Sequence, residues 1–151
     1  MILGNGGIGM TVTFCGHSEV YQSDIIRRWL ISEVDAAIQD GAETFLLGGY
    51  GAFDAMAAGV VREAKSLHPN IESVLVLPYL DKKVDTSQYD CTTYPPLERV
   101  PRRFAIVKRN QWCVDQSDRL IAYVTHDWGG AASTMAYAQR KGKDIRLYQP
   151  G

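Results

Sequence analysis

The chain has 151 residues, is 46% hydrophobic and carries a formal net charge of −1. That length and apolar fraction suit one domain with a core large enough to fold alone, while the balanced charge argues against nucleic acid or an anionic membrane as the main partner. No apolar run approaches the ~20 residues that cross a bilayer, and three cysteines without a CxxC spacing indicate neither a disulfide frame nor a zinc site, so no membrane, metal or cofactor is expected and the compartment is expected to be reduced and cytoplasmic.

Residues 1–9, MILGNGGIG, hold a literal GxGxxG at Gly4, Gly6 and Gly9. A dinucleotide fingerprint must follow a full strand and open a helix. This one follows three residues and precedes a strand, so it reads as a flexible glycine-rich leader to a single domain over residues 10–151. Residues 10–16 form the first expected strand. Residues 24–40 read as a helix with the apolar stripe Ile26, Trp29, Leu30, Val34, Ala37 and Ile38; Ser23 or Asp24 can cap it and Gly41 can stop it.

The second strand, residues 43–47, runs into Gly48-Gly49-Tyr50-Gly51. A helix over about residues 53–67 follows at once, with Phe53, Met56, Ala57, Val60, Val61, Ala64 and Leu67 at helical spacing. Residues 73–77 form a third buried strand. Residues 79–98 show no period, and a loop of that length is usually functional or mobile. A helix over about 101–115, a strand over 119–124, a helix over 131–141 and a strand over 144–148 complete the chain. Strands alternating with helices predict an α/β fold: one three-layer domain around a mostly parallel sheet of about five strands.

In such sheets ligands bind beyond the carboxyl ends of the strands. Four segments should meet there: Gly16-His17, Gly48 to Asp54, Pro78-Tyr79, and Thr125-His126 through Gly129-Gly130 to Ser133-Thr134. Two of them are glycine turns that open helices. A helix N-terminus presents unpaired N–H groups and partial positive charge, which suit an anion. A nucleotide or phosphosugar cleft is the expectation.

The blocks Phe14-Cys15-Gly16-His17, Gly48 to Asp54, Arg109 to Asp118, Leu120-Ile121-Ala122 and Gly129-Gly130, in this order, resemble the SLOG superfamily. This is a Rossmann-like group that includes the lonely-guy-type phosphoribohydrolases, and its YspA-like branch is nearest. The resemblance spans residues 11–147. It implies binding of nucleotides, phosphoribosyl groups or ADP-ribose-like molecules, and a homodimer or higher homo-oligomer. In the phosphoribohydrolases an arginine precedes a Ser-Asp pair, and Arg109 matches it. Their PGGxGTxxE motif aligns with Gly129 to Ala136, where Trp128 replaces the proline and Ala136 the glutamate. Glycosidic cleavage usually needs a carboxylate at the reacting centre, so this departure favours a binding module over an enzyme.

Individual residues keep two readings each. The glycines serve either tight packing or phosphate approach. Asp54 either stabilises a helix N-terminus or holds a ribose hydroxyl. His17 and His126 are structural or ligand-facing. Arg102 and Arg109, seven positions apart on the expected helix, can both face the cleft as phosphate forks or belong to a solvated basic face with Arg99, Arg103 and Lys108. Ser133 and Thr134 cap the helix or bind phosphate. Tyr79, Tyr89 and Tyr94 stack a base or anchor their loop. The leading expectation is a protein that senses or sequesters a nucleotide or ADP-ribose-type molecule, by fold-level analogy in phage–host conflict. The alternatives are a phosphoribohydrolase-like N-glycosidase using Arg109 with Asp54 or Glu98, and a single-stranded nucleic-acid binder using the basic run.

Overall fold

The computed structural model describes residues 9–150. Most of the expected leader, residues 1–8, lies outside them. The elements in order are β1 (Met10–Gly16), α1 (Ser23–Gln39), β2 (Ala42–Leu47), α2 (Gly51–Lys65), β3 (Glu72–Val76), β4 (Cys91–Thr93), α3 (Ala105–Asp115), β5 (Arg119–Tyr123), α4 (Gly130–Arg140) and β6 (Asp144–Leu147). The sheet has the strand order β4-β3-β2-β1-β5-β6, and each adjacent pair is parallel. The fold is therefore the expected Rossmann-like α/β arrangement, with six strands rather than about five.

The added strand is β4. It lies inside the stretch expected to be aperiodic, because Cys-Thr-Thr is too short and too exposed to show an apolar alternation. Its approach is pinned by Asp90, which accepts the Ser73 backbone N–H at 2.8 Å and pairs with Lys65 at 3.0 Å.

Side chains alternate across the sheet as the strand period demands. Val12, Phe14, Phe45, Leu47, Ile121 and Tyr123 form one core with Ile26, Leu30 and Val34 of α1 and Phe53, Ala57 and Val61 of α2. On the opposite face Cys15, Leu120 and Ala122 pack with Val114 of α3 and Ala138 of α4, and Leu46, Val74 and Val76 pack with Cys113 of α3.

Two helix starts differ from expectation. Neither Ser23 nor Asp24 caps α1; Gln22 stands at the N-cap in the left-handed region, φ 55°, without a side-chain cap. The helix expected from residue 101 begins as a 3-10 turn at Arg102–Phe104, and α3 proper starts at Ala105.

Phe45 is 0% exposed and stacks on Phe14 with ring centroids 6.2 Å apart. Replacing it with alanine is expected to cost about 3–5 kcal/mol in urea unfolding at unchanged m-value. A loss below about 1 kcal/mol would mean that this core is not packed as described.

Candidate functional site

From β1 the chain winds outward through β2, β3 and β4, and it returns to the other side of β1 as β5 and then β6. The loops leaving β1 and β5 therefore part to opposite faces and open a crevice at the strands' carboxyl ends. A cavity of about 600 Å³ occupies this crevice. Its walls include Gly16 and His17 after β1, Gly48, Tyr50, Gly51 and Asp54 after β2, and Arg109 of α3. The turn after β5 closes it with Thr125, His126, Gly129, Gly130 and Thr134. The two glycine turns thus border one cavity.

The turns differ in what their helix ends offer. At α2 the Ala52 N–H donates to the Ser18 carbonyl at 2.8 Å, and the Tyr50 N–H donates to Asp54 Oδ2 at 3.3 Å. The α2 end is thus covered in part, and its Gly51 and Phe53 N–H groups have no partner among the described residues. At α4 Gly129 takes φ 93°, no side chain caps the helix, and the first intrahelical bond runs from the Ser133 N–H to the Gly129 carbonyl. The N–H groups of Gly130, Ala131 and Ala132 have no hydrogen-bond partner among the described residues, and a Cβ at Gly129 or Gly130 would meet nothing within 4 Å. The more open end is that of α4, where three successive N–H groups are free among the described residues.

Arg109 is 2% exposed. Its Nη1 donates to the Val76 carbonyl at 2.6 Å and the Gly48 carbonyl at 2.9 Å, and its Nε donates to Asn110 Oδ1 at 2.8 Å. The guanidinium ties α3 to the ends of β2 and β3, with its remaining nitrogen at the cavity wall. Gly48 leaves room for this arrangement: a Cβ would stand 3.0 Å from Asp54 Oδ2 and 3.2 Å from Arg109 Cζ, so both side chains would have to shift by a few tenths of an ångström.

Asp54 is the cavity's half-buried carboxylate. Burial pushes its carboxyl up to about 6, against the lowering effects of Arg109 and the Tyr50 N–H. It has one long hydrogen bond and room for donors from a ligand. Glu19 adds a second carboxylate to the walls. Burial likewise pushes the Cys113 thiol up to about 12 and raises Cys15, so both are protonated and inert.

His17 is held by the Thr125 N–H, which donates to its Nε2 at 2.8 Å. Neutral His17 therefore carries its proton on Nδ1. Burial and His126 lower its pKa from the ordinary value.

Several residues expected at the cleft stand elsewhere. Arg102 lies in the 3-10 turn, off the α3 stripe; its Nη1 is 3.0 Å from Asp81 Oδ2 and its Cζ 4.3 Å from the Tyr79 ring centroid. Arg102 and Tyr79 thus satisfy one another outside the cavity. Pro78 is buried, Glu98 and Ser133 are exposed, and none of them, nor Gly49, is among the walls. Thr134 does line the cavity, but it lies past the first turn of α4 and donates its hydroxyl to the Gly130 carbonyl at 3.0 Å. None of the tyrosines of residues 79–94 reaches the cavity. Sequence reasoning missed Tyr21, Asn110 and, most of all, Trp128, an indole 69% exposed beside the open end of α4. Its place in the second glycine turn was the available signal.

No family model matches the chain. Over 142 residues it is 27% identical to a UPF0398 protein of Halalkalibacterium halodurans, covering 83% of this chain and 75% of that protein. A UPF0398 protein of Bacillus thuringiensis is 24% identical over 140 residues, covering 83% and 74%. The fold is similar to DNA processing protein A from Helicobacter pylori, with TM-score 0.67 and 16% identity over 99% of this chain and 71% of that one. That protein is described by its single-stranded DNA binding mode. The protein of the same name from Streptococcus pneumoniae gives 0.66 at 15% identity, over 95% of this chain and 51% of the other. The Moco carrier protein of Chlamydomonas rheinhardtii gives 0.56 at 16%, over 92% and 75%. At these identities the likeness is one of fold.

Asp54 has an ordinary pKa of 3.8 when unfolded and about 6 in the fold. The fold favours the neutral acid, so the stability from this group is fully present below about pH 3.8 and lost as pH rises through about 6. Asp54→Asn removes that loss. Relative to the parent, the variant is expected to gain about 1–3 kcal/mol between pH 4 and pH 8 in urea unfolding. An identical difference at both pH values would contradict the buried, ionisable carboxylate.

Proposed function

We propose that the chain binds a nucleotide or an ADP-ribose-type molecule in this cavity and serves to sense or sequester it. The observation that carries this reading is the unfilled first turn of α4, opening on a cavity of about 600 Å³ at the switch between β1 and β5. Three free backbone N–H groups suit a phosphate, and the volume falls within the usual range for small-molecule sites. Asp54 is the acceptor for sugar hydroxyls, and Arg109 supplies the positive charge at the cavity wall. The sequence blocks and this fold together support placing the chain in the SLOG superfamily, near its YspA-like branch. Among the described residues no helix is long and apolar enough to cross a membrane; the free cysteines agree with a cytoplasmic setting, and a homodimer is the proposed assembly.

A binder is preferred to a hydrolase because Ala136 stands where the phosphoribohydrolases carry their glutamate. Asp54 is the only carboxylate of the two suggested substitutes that reaches the cavity. One observation favours a second reading: the Helicobacter pylori neighbour binds single-stranded DNA, which weighs against setting nucleic acid aside on net charge alone.

AMP, ADP and ADP-ribose at about 100 times their dissociation constants are expected to raise the melting temperature by about 5–10 °C, with the ligand recovered intact by chromatography. Release of free base, abolished in Asp54→Asn, would establish the hydrolase instead. Retention of an oligodeoxynucleotide that weakens steeply with salt, without any nucleotide shift, would favour the single-strand reading.

A further inference from the structure

The rim of the cavity carries three aromatic rings stacked face to face. The His126 ring lies 3.8 Å from that of His17 at an interplanar angle of 13°, and 3.8 Å from that of Trp128 at 16°. Two rings cannot share one face of an imidazole at that spacing, so His126 is sandwiched between the other two. The inner rung is anchored twice. His17 accepts the Thr125 N–H, and it meets the buried Tyr123 ring edge-on, with centroids 5.6 Å apart. The outer rung, Trp128, is 69% exposed although its inner face covers His126. Its outer face is therefore open.

This arrangement has no packing purpose of its own. An indole left in water forgoes the burial that a large aromatic ring normally gains. Here it is also held flat by the ladder beneath it, so little of its rotamer freedom remains to be lost on binding. His126 Nδ1 is buried without a hydrogen-bond partner among the described residues, so the ladder also holds a polar atom that the protein alone leaves unsatisfied. Trp128 lies two positions before Gly130, the first residue of α4, whose turn N–H groups are free.

We propose that Trp128 is the base-stacking residue of this site: its outer face takes the nucleobase of a ligand whose phosphate rests on the first turn of α4. The proposal rests on the reading of the cavity as the place where a nucleotide unit binds, and it names the part of the ligand that the ladder selects. The tyrosines of residues 79–94, the base-stackers considered from sequence, take no part. The required chemistry is a flat heteroaromatic ring joined through a sugar to a phosphate, whether free or within a strand.

The test compares AMP, ribose 5-phosphate and a short oligodeoxynucleotide on the full chain and on Trp128→Ala and Trp128→Phe, by calorimetry and tryptophan fluorescence. AMP is expected to quench the parent's fluorescence, and its dissociation constant to rise roughly five- to hundredfold in Trp128→Ala, with most of the affinity kept in Trp128→Phe. Ribose 5-phosphate, which has no base, should change by less than about twofold across the three proteins. Equal weakening of AMP and ribose 5-phosphate, or AMP binding indifferent to Trp128, overturns the proposal. Oligonucleotide binding that depends on Trp128, with no binding of AMP, keeps the stacking role and overturns the free-nucleotide function. A parent chain that binds none of the three overturns both.

Discussion

Parallel strands cannot be joined by tight turns, and every crossover in this domain follows from that constraint. The chain fills one side of β1 with β2, β3 and β4 and then has to come back to fill the other with β5 and β6. At the seam between β1 and β5 the connections leave in opposite directions, and although His17 meets Thr125 and His126 across it, a cavity of about 600 Å³ remains beside them. The cavity is thus a consequence of winding order, and the residues at its edge were placed there by being the last of a strand or the first of a helix. His17, Asp54, His126 and Gly130 all owe their positions to this.

A gap at a sheet edge needs a rigid wall, and Arg109 supplies it. Burying a guanidinium is costly unless its donors are paired. Two of its nitrogens are paired with the carbonyls of Val76 and Gly48 and with Asn110. The same contacts lock α3 over the ends of β2 and β3. The arginine's charge, together with Gly48's lack of a side chain, lets Asp54 sit close by as a partly buried carboxylate. The residue that resemblance singles out as catalytic is therefore, in this chain, a strut of the cavity wall as well as its cation.

Much of this was legible in the sequence. The helical stripes of α1 and α2, the apolar strands and the two glycine turns carry local periods and breakers that tertiary contacts did not override. The edge strand β4 was not legible, because it is held by Asp90 and by pairing with β3 rather than by any pattern of its own. Arg102 was misplaced by a single local event: the turn at Arg102–Phe104 is 3-10, which rotates it off the face that Arg109 occupies. The asymmetry of the two turns was also invisible. Both read as glycine hinges before a helix, yet Ser18, remote in sequence, holds an N–H of one end, while no described residue bonds the first three N–H groups of the other. Trp128 stood in plain view as a departure from a motif; its meaning depends on a stack with His126 and His17 that only the fold assembles.

The central claim is that the backbone at the start of α4 grips the ligand's phosphate. Backbone amide chemical shifts, followed by two-dimensional NMR during a titration with AMP, test it most directly. The account predicts the largest shifts at Gly130, Ala131 and Ala132, with a far smaller one at Ala52, whose N–H is already held by the Ser18 carbonyl. Saturable shifts centred on α2, or on the basic residues 99–103 with α4 unmoved, would contradict it.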